Sequence, residues 1–171
     1  MKKTLSIAAV AAVAAIAQAD MSHDPIVAPF DADVLVSFVS QSAGWTGELS
    51  WLNVENETFS PQFLLSNRET PGETVSLGRV EQGQSLYFQY EVIIGKANVY
   101  RQDDEVGALQ FRHEWLDDYT ARLFIEDIEL PGGDRDYNDA VYDVTFRAVP
   151  TPGALGMGMA GVLPFVRRRR G

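Results

Sequence analysis

From Leu123 to Phe146 the chain reads LFIEDIELPGGDRDYNDAVYDVTF, an apolar alternation, a dense acidic turn and a second apolar alternation. Ala121, Leu123 and Ile125 alternate with Arg122, Phe124 and Glu126, and Ala140, Tyr142, Val144 and Phe146 alternate with Val141, Asp143 and Thr145. A period of two is that of a half-buried strand. Pro131-Gly132-Gly133 continues neither strand, because proline lacks the ladder donor and paired glycines supply the positive φ of a reversal. The spacing predicts a hairpin with a long acidic connection.

That connection carries the chemistry. Asp134, Asp136, Asn138 and Asp139 fall within six residues, preceded by Glu126, Asp127 and Glu129, with Arg135 as the one basic neighbour. Carboxylates so crowded repel by roughly 2 to 3 kcal/mol per pair at an effective dielectric of about 20, a cost that a bound cation removes. The D-x-D-x-N-D order sets oxygen ligands on alternate residues, as the first half of a calcium loop does. The second half departs from the EF-hand: Asp139 stands where that loop needs glycine, and Thr145 where it needs a bidentate glutamate. Oxygen-only ligands point to Ca2+, with Glu126, Asp127, Asp134, Asp136, Asn138 and Asp139 as candidate ligands. The same residues also suit a solvated turn whose Asp and Asn side chains satisfy local backbone donors.

The run IEDIELPGGDRDYNDAVYDV resembles the closing hairpin of the bacterial domain of unknown function 4114, whose signature is of the "EDlpGGGDrDYNDvvf" kind. Glu126, Asp127, Pro131 to Asp139 and Val141 match it. The glycine run here is one shorter, and Ile128-Glu129-Leu130 adds length before the turn, so which of Glu126 and Asp127 faces a metal stays open. The segments VSFVSQSAGWTGELSWLNV and VEQGQSLYFQYEVI are similar to that family's opening strands. The resemblance implies a secreted β-sandwich with a calcium site and no established activity.

The two ends read differently from the body. Lys2 and Lys3, the apolar Leu5 to Ala17 and the small-x-small Ala17-Gln18-Ala19 make residues 1–19 a signal peptide, with cleavage expected before Asp20. The apolar run is short for the roughly 20 residues of a bilayer span, though an uncleaved anchor is the rival reading. At the other end, residues 149–171 read VPTPGALGMGMAGVLPFVRRRRG, a Pro-rich motif, a short apolar helix over Ala154 to Val166 and an arginine cluster. This resembles the PEP-CTERM sorting signals, with Val149, Pro150, Thr151 and Pro152 matching the VPEP-type motif with Thr for Glu, and Arg167, Arg168, Arg169 and Arg170 as the basic end. The resemblance implies cleavage by an exosortase-like sorting enzyme after passage through the export machinery, and contact with the membrane only in transit. A retained C-terminal anchor is the alternative.

All 24 acidic residues lie between Asp20 and Val149, against eight basic ones, so the body carries a net charge of −16. Such a body repels nucleic acid and attracts divalent cations. The absence of cysteine excludes disulfides and a thiolate zinc site. His23 and His113, the two histidines, fit surface or core positions better than ligand positions.

Residues 20–148 form the expected domain. Asp20 to Asp31 reads as a loose lead-in broken by Pro25 and Pro29, followed by strands at Val34 to Val39, Glu48 to Leu52, Phe63 to Leu65, Thr74 to Val80, Leu86 to Ile94, Ala97 to Arg101 and Ala108 to Arg112. In the clearest of them Leu86, Phe88, Tyr90, Val92 and Ile94 share one face, with Gln89 and Glu91 on the other. Many short strands with Gly/Pro turns and no helical period predict an all-β fold, a single antiparallel β-sandwich of jelly-roll type flanked by the signal helix and the short C-terminal helix. Trp45, Trp51 and Trp115 are spread singly through strands, as core and core-edge residues are. No nucleophile elbow, phosphate loop or zinc motif is present. The expected function is that of an exported, calcium-binding cell-surface or matrix protein, structural or adhesive and without catalysis. The alternative is a calcium-assisted carbohydrate-binding module whose partner is an extracellular polysaccharide.

Overall fold

The computed structural model describes residues 22–55 and 58–149. Both expected terminal helices, the cleavage residues Ala17 and Ala19, and the sorting residues beyond Val149 lie outside them. The described chain is all-β. Its ten strands are β1 (Ile26–Val27), β2 (Ala32–Ser40), β3 (Thr46–Glu55), β4 (Thr58–Ser66), β5 (Thr74–Val80), β6 (Ser85–Ile94), β7 (Asn98–Arg101), β8 (Phe111–Trp115), β9 (Thr120–Ile125) and β10 (Ala140–Ala148). A 3-10 turn, Gly107–Gln110, precedes β8.

Two five-stranded antiparallel sheets result. One runs β5-β2-β10-β9-β8; in the other β4, β3 and β6 follow in order, with β1 and β7 both paired to the far edge of β6. Alternation drives the packing. In β2 the buried Ala32, Val34, Val36 and Phe38 project to one side, and in β9 Ala121, Leu123 and Ile125 do the same. They join Leu49, Leu86, Phe88 and Tyr90 of the other sheet in one hydrophobic core, an arrangement consistent with a β-sandwich.

The predicted hairpin is present: β9 pairs with β10 from Ala140 opposite Ile125 to Thr145 opposite Thr120. Three local expectations change. The lead-in holds a two-residue strand, because Ile26–Val27 fits between its prolines and pairs with Leu86 and Ser85. The strand expected over Ala108 to Arg112 starts at Phe111, since the preceding residues wind into the 3-10 turn. Ile94 is 65% exposed. Thr46 pairs with Ile94 but Gly47 with Val92, so Ile93 is the extra residue of a bulge that throws the strand end out of register with the core face.

Candidate metal centre

The connection Glu126 to Asp139 is pinned from outside by the side chains of Gln110 and Tyr100. Gln110, buried at the end of the 3-10 turn, donates from Nε2 to the carbonyls of Glu126 (3.1 Å) and Ile128 (2.7 Å) and accepts from the Leu130 N–H (3.2 Å). Its backbone carbonyl accepts the Glu126 N–H at 2.9 Å. Tyr100 adds a bond from its hydroxyl to the Asp127 carbonyl at 3.1 Å. Further along, Tyr137 is buried, donates to the Leu109 carbonyl at 2.9 Å and carries the Arg112 guanidinium 4.2 Å above its ring. None of these tethers has a motif. Gln110, Tyr100 and Arg112 act through positions that are distant in sequence, and no local pattern announces them.

The turn is not built as the glycines suggest. The positive φ values fall on Arg135 (63°) and Tyr137 (53°), not on Gly132 or Gly133, and the Leu130-Pro131 bond is cis. Gly133 serves a close approach instead. A Cβ there would stand 2.5 Å from Glu126 Oε1 and 2.8 Å from the Ile128 carbonyl. Gly133→Ala is therefore expected to displace the Glu126 carboxylate and to cost roughly 1 to 3 kcal/mol by overpacking; comparing its urea midpoint with that of wild type checks this.

The carboxylates converge in two groups that share Glu126. Glu126, Asp134 and Asp136 form an outer group open to solvent, and Glu126, Asp127 and Asp139 an inner one, with one oxygen from each member within 4.8 Å of the others. Both residues between which the sequence could not choose are thus in play, with Glu126 common to both groups. Asn138 sits beside them as a partner of Asp136, to which its side-chain amide donates. The local bonds of an acidic turn are also present: Asp134 Oδ1 accepts the Asp136 N–H, Asp136 Oδ1 the Asn138 N–H, and Asp139 Oδ2 the Asp127 N–H.

Those bonds leave one buried oxygen of the inner group without a partner. Glu126 and Asp127 are only 1% and 3% exposed. Glu126 Oε2 accepts the Arg135 N–H at 3.0 Å, but Asp127 Oδ2 is buried without any partner, as are the hydroxyls of Tyr90 and Tyr142. Burial, then the Asp139 and Asp134 charges, pushes Glu126 up to about 7. Burial, the charge of Asp139 and a side-chain hydrogen bond shared with Asp139 push Asp127 up to about 6, and burial raises Asp139 as well. Arg68, held by the carbonyls of Ala43 and Trp45, lowers Asp127 slightly but does not bond to it. A buried carboxylate oxygen without a partner is costly when ionised, and an all-oxygen donor set of this kind could hold a hard cation.

The acidic loop at Asp103-Asp104-Glu105 is different. Asp103 is paired to Arg101 at 2.8 Å and Asp104 Oδ2 accepts the Gly107 N–H at 2.9 Å, so two of its three carboxylates are already committed. His113 is buried, with burial lowering its pKa, and His23 Nδ1 meets the Phe111 carbonyl at 2.7 Å; neither belongs to the carboxylate groups. Of the sorting motif only Val149 is described, its N–H on the Asp31 carbonyl at 3.2 Å. No protein-family model matches the chain, and no curated protein matches it.

Proposed function

We propose that the chain is an exported, calcium-binding module of the bacterial cell surface or extracellular matrix, structural or adhesive in role and without catalysis. The observation that carries the cation is the buried, partnerless Oδ2 of Asp127, whose carboxylate converges with those of Glu126 and Asp139. The ligand chemistry, all oxygen and strongly anionic, favours calcium over zinc or the more rigidly octahedral magnesium. Glycosidases set two carboxyls facing each other across a substrate, whereas these all come from one connection, which supports a structural ion. Chain crossings between the sheets after β1, β2, β4, β5 and β7 support completion of the fold as a jelly-roll-like sandwich. The hairpin signature supports kinship with the domain of unknown function 4114.

Isothermal titration with calcium, paired with thermal melts in calcium and in chelator, tests the reading. At a dissociation constant of about 10⁻⁴ to 10⁻³ M, tenfold excess calcium stabilises the fold by about 1.4 kcal/mol. Asp136→Ala should diminish that gain and barely move the calcium-free melt, because Asp136 is exposed and its loss relieves repulsion. Absence of heat together with an unchanged melt in chelator returns the connection to a solvated turn. For export and sorting, intact-mass analysis of surface-extracted protein should find neither residues 1–19 nor Arg167 to Arg170; their retention counts against processing.

A further inference from the structure

We propose that a second site, an aromatic groove at the opposite end of β9 and β10 from the carboxylates, binds a neutral polysaccharide chain. The groove, about 610 Å³, is lined by Phe30, Trp115 and Tyr119 with Asp117 and Asp118 beside them. Tyr119 precedes β9 and Glu126 follows it, so the rise of about 3.4 Å per residue sets the two sites roughly 24 Å apart.

The rings are positioned before any ligand arrives. Trp115 stacks on Phe146 at 5.7 Å and 30°, which fixes its plane, and Phe30 meets Tyr119 edge-on at 5.7 Å. Tyr119 remains 54% exposed. Asp117 Oδ1 accepts the Tyr119 N–H at 2.7 Å and holds the turn, while Asp118 is exposed and its carboxylate uncommitted. Fixed aromatic faces take the C–H face of a pyranose, and a free carboxylate beside them accepts its hydroxyls.

Shape and charge narrow the class. A second, polar depression of about 350 Å³ shares Phe30 and Ala148 with the first and adds Asp31 and Gln82. The surface is therefore elongated, which suits a polymer better than a single sugar. Asp31, Asp117 and Asp118 on a body of net charge −16 disfavour anionic polymers. The rival occupant is cationic, the chain's own arginine-ended segment, whose root at Val149 borders the second depression.

The site extends the matrix role without resting on the cation, and its test separates the two. Native gels containing dextran, hydroxyethylcellulose or galactomannan are run with alginate as the anionic control, using the full chain. Retardation is expected in at least one neutral gel and not in alginate. Tyr119→Ala and Asp118→Ala should each weaken it about tenfold, the worth of one well-placed stacking or polar contact, with unchanged melting temperatures. Chelator and Asp136→Ala should leave it intact even if calcium titration fails. The proposal is overturned by retardation in no neutral gel, by retardation that survives both variants, or by its loss in chelator. It is equally overturned if a synthetic peptide of residues 150–171 binds in trans, Tyr119→Ala abolishes that binding, and no polysaccharide retards the protein.

Discussion

Phe88→Ala is expected to destabilise the fold by about 3 to 5 kcal/mol and to lower Tm by roughly 10 to 20 °C. Phe88 is fully buried at the middle of β6, which pairs with β3 on one side and with β1 and β7 on the other, so the strand is held on both edges and cannot collapse into the space left behind. The lost contacts also reach the second sheet through the shared core. Ile94→Ala at the end of the same strand is the control. Beyond the bulge Ile94 is mostly exposed, and its truncation should stay within about 0.5 kcal/mol. Urea denaturation of the two variants beside wild type measures both. A Phe88→Ala midpoint indistinguishable from that of Ile94→Ala would mean that the alternation of β6 does not face the core.

The contrast between those two residues marks what the sequence could convey. Period-two alternation is a local signal, and it located β2, β6, β9 and β10 and the hairpin that carries the carboxylates. It could not reveal where a strand outruns its partner, because the bulge at Ile93 arises from the pairing with Gly47, and a Cβ on Gly47 would strike the Tyr90 ring at 2.3 Å. The same limit holds in the connection. The spacing of Asp134, Asp136 and Asp139 is written in the chain, but the backbone path that carries Asp127 into a buried group is tethered from other elements, by Gln110 at Glu126 and Ile128 and by Tyr100 at Asp127. The left-handed backbone at Arg135 and Tyr137 was invisible for a related reason. Neither residue type favours positive φ, and Tyr137 is held there by its bond to Leu109 and by Arg112 above its ring. The aromatic groove had only half a signal: Trp115 read as a core-edge residue, which it is, while its alignment with Phe30 and Tyr119 depends on the fold.

Calcium affinity is expected to rise steeply between pH 5.5 and pH 8, and Glu126→Gln to remove most of it. Glu126 belongs to both carboxylate groups, so a cation held in either one meets its carboxylate. Burial, with the charges of Asp139 and Asp134, raises it from 4.5 to about 7, and burial with the charge of Asp139 raises Asp127 from 3.8 to about 6. The folded, cation-free protein thus holds protons that the unfolded chain has already released between about pH 4 and pH 7. More protons on the folded side make the contribution of this cluster favourable at the acid end of that window, and it is lost as pH rises through the folded values. Calcium must displace those protons to bind, so its stabilisation is small at pH 5.5 and full only above pH 7. Melts in chelator should accordingly fall in Tm from pH 5.5 to pH 8, while melts in calcium fall less, the gap widening with pH. Glu126→Gln keeps an acceptor for the Arg135 N–H but removes the shared charge. It should flatten the chelator profile and weaken calcium by more than the roughly 10- to 100-fold that loss of an outer-shell partner costs. Titrations giving one calcium affinity at both pH values, or a Glu126→Gln variant that binds as wild type does, would place the cation elsewhere than in the two groups built on this carboxylate.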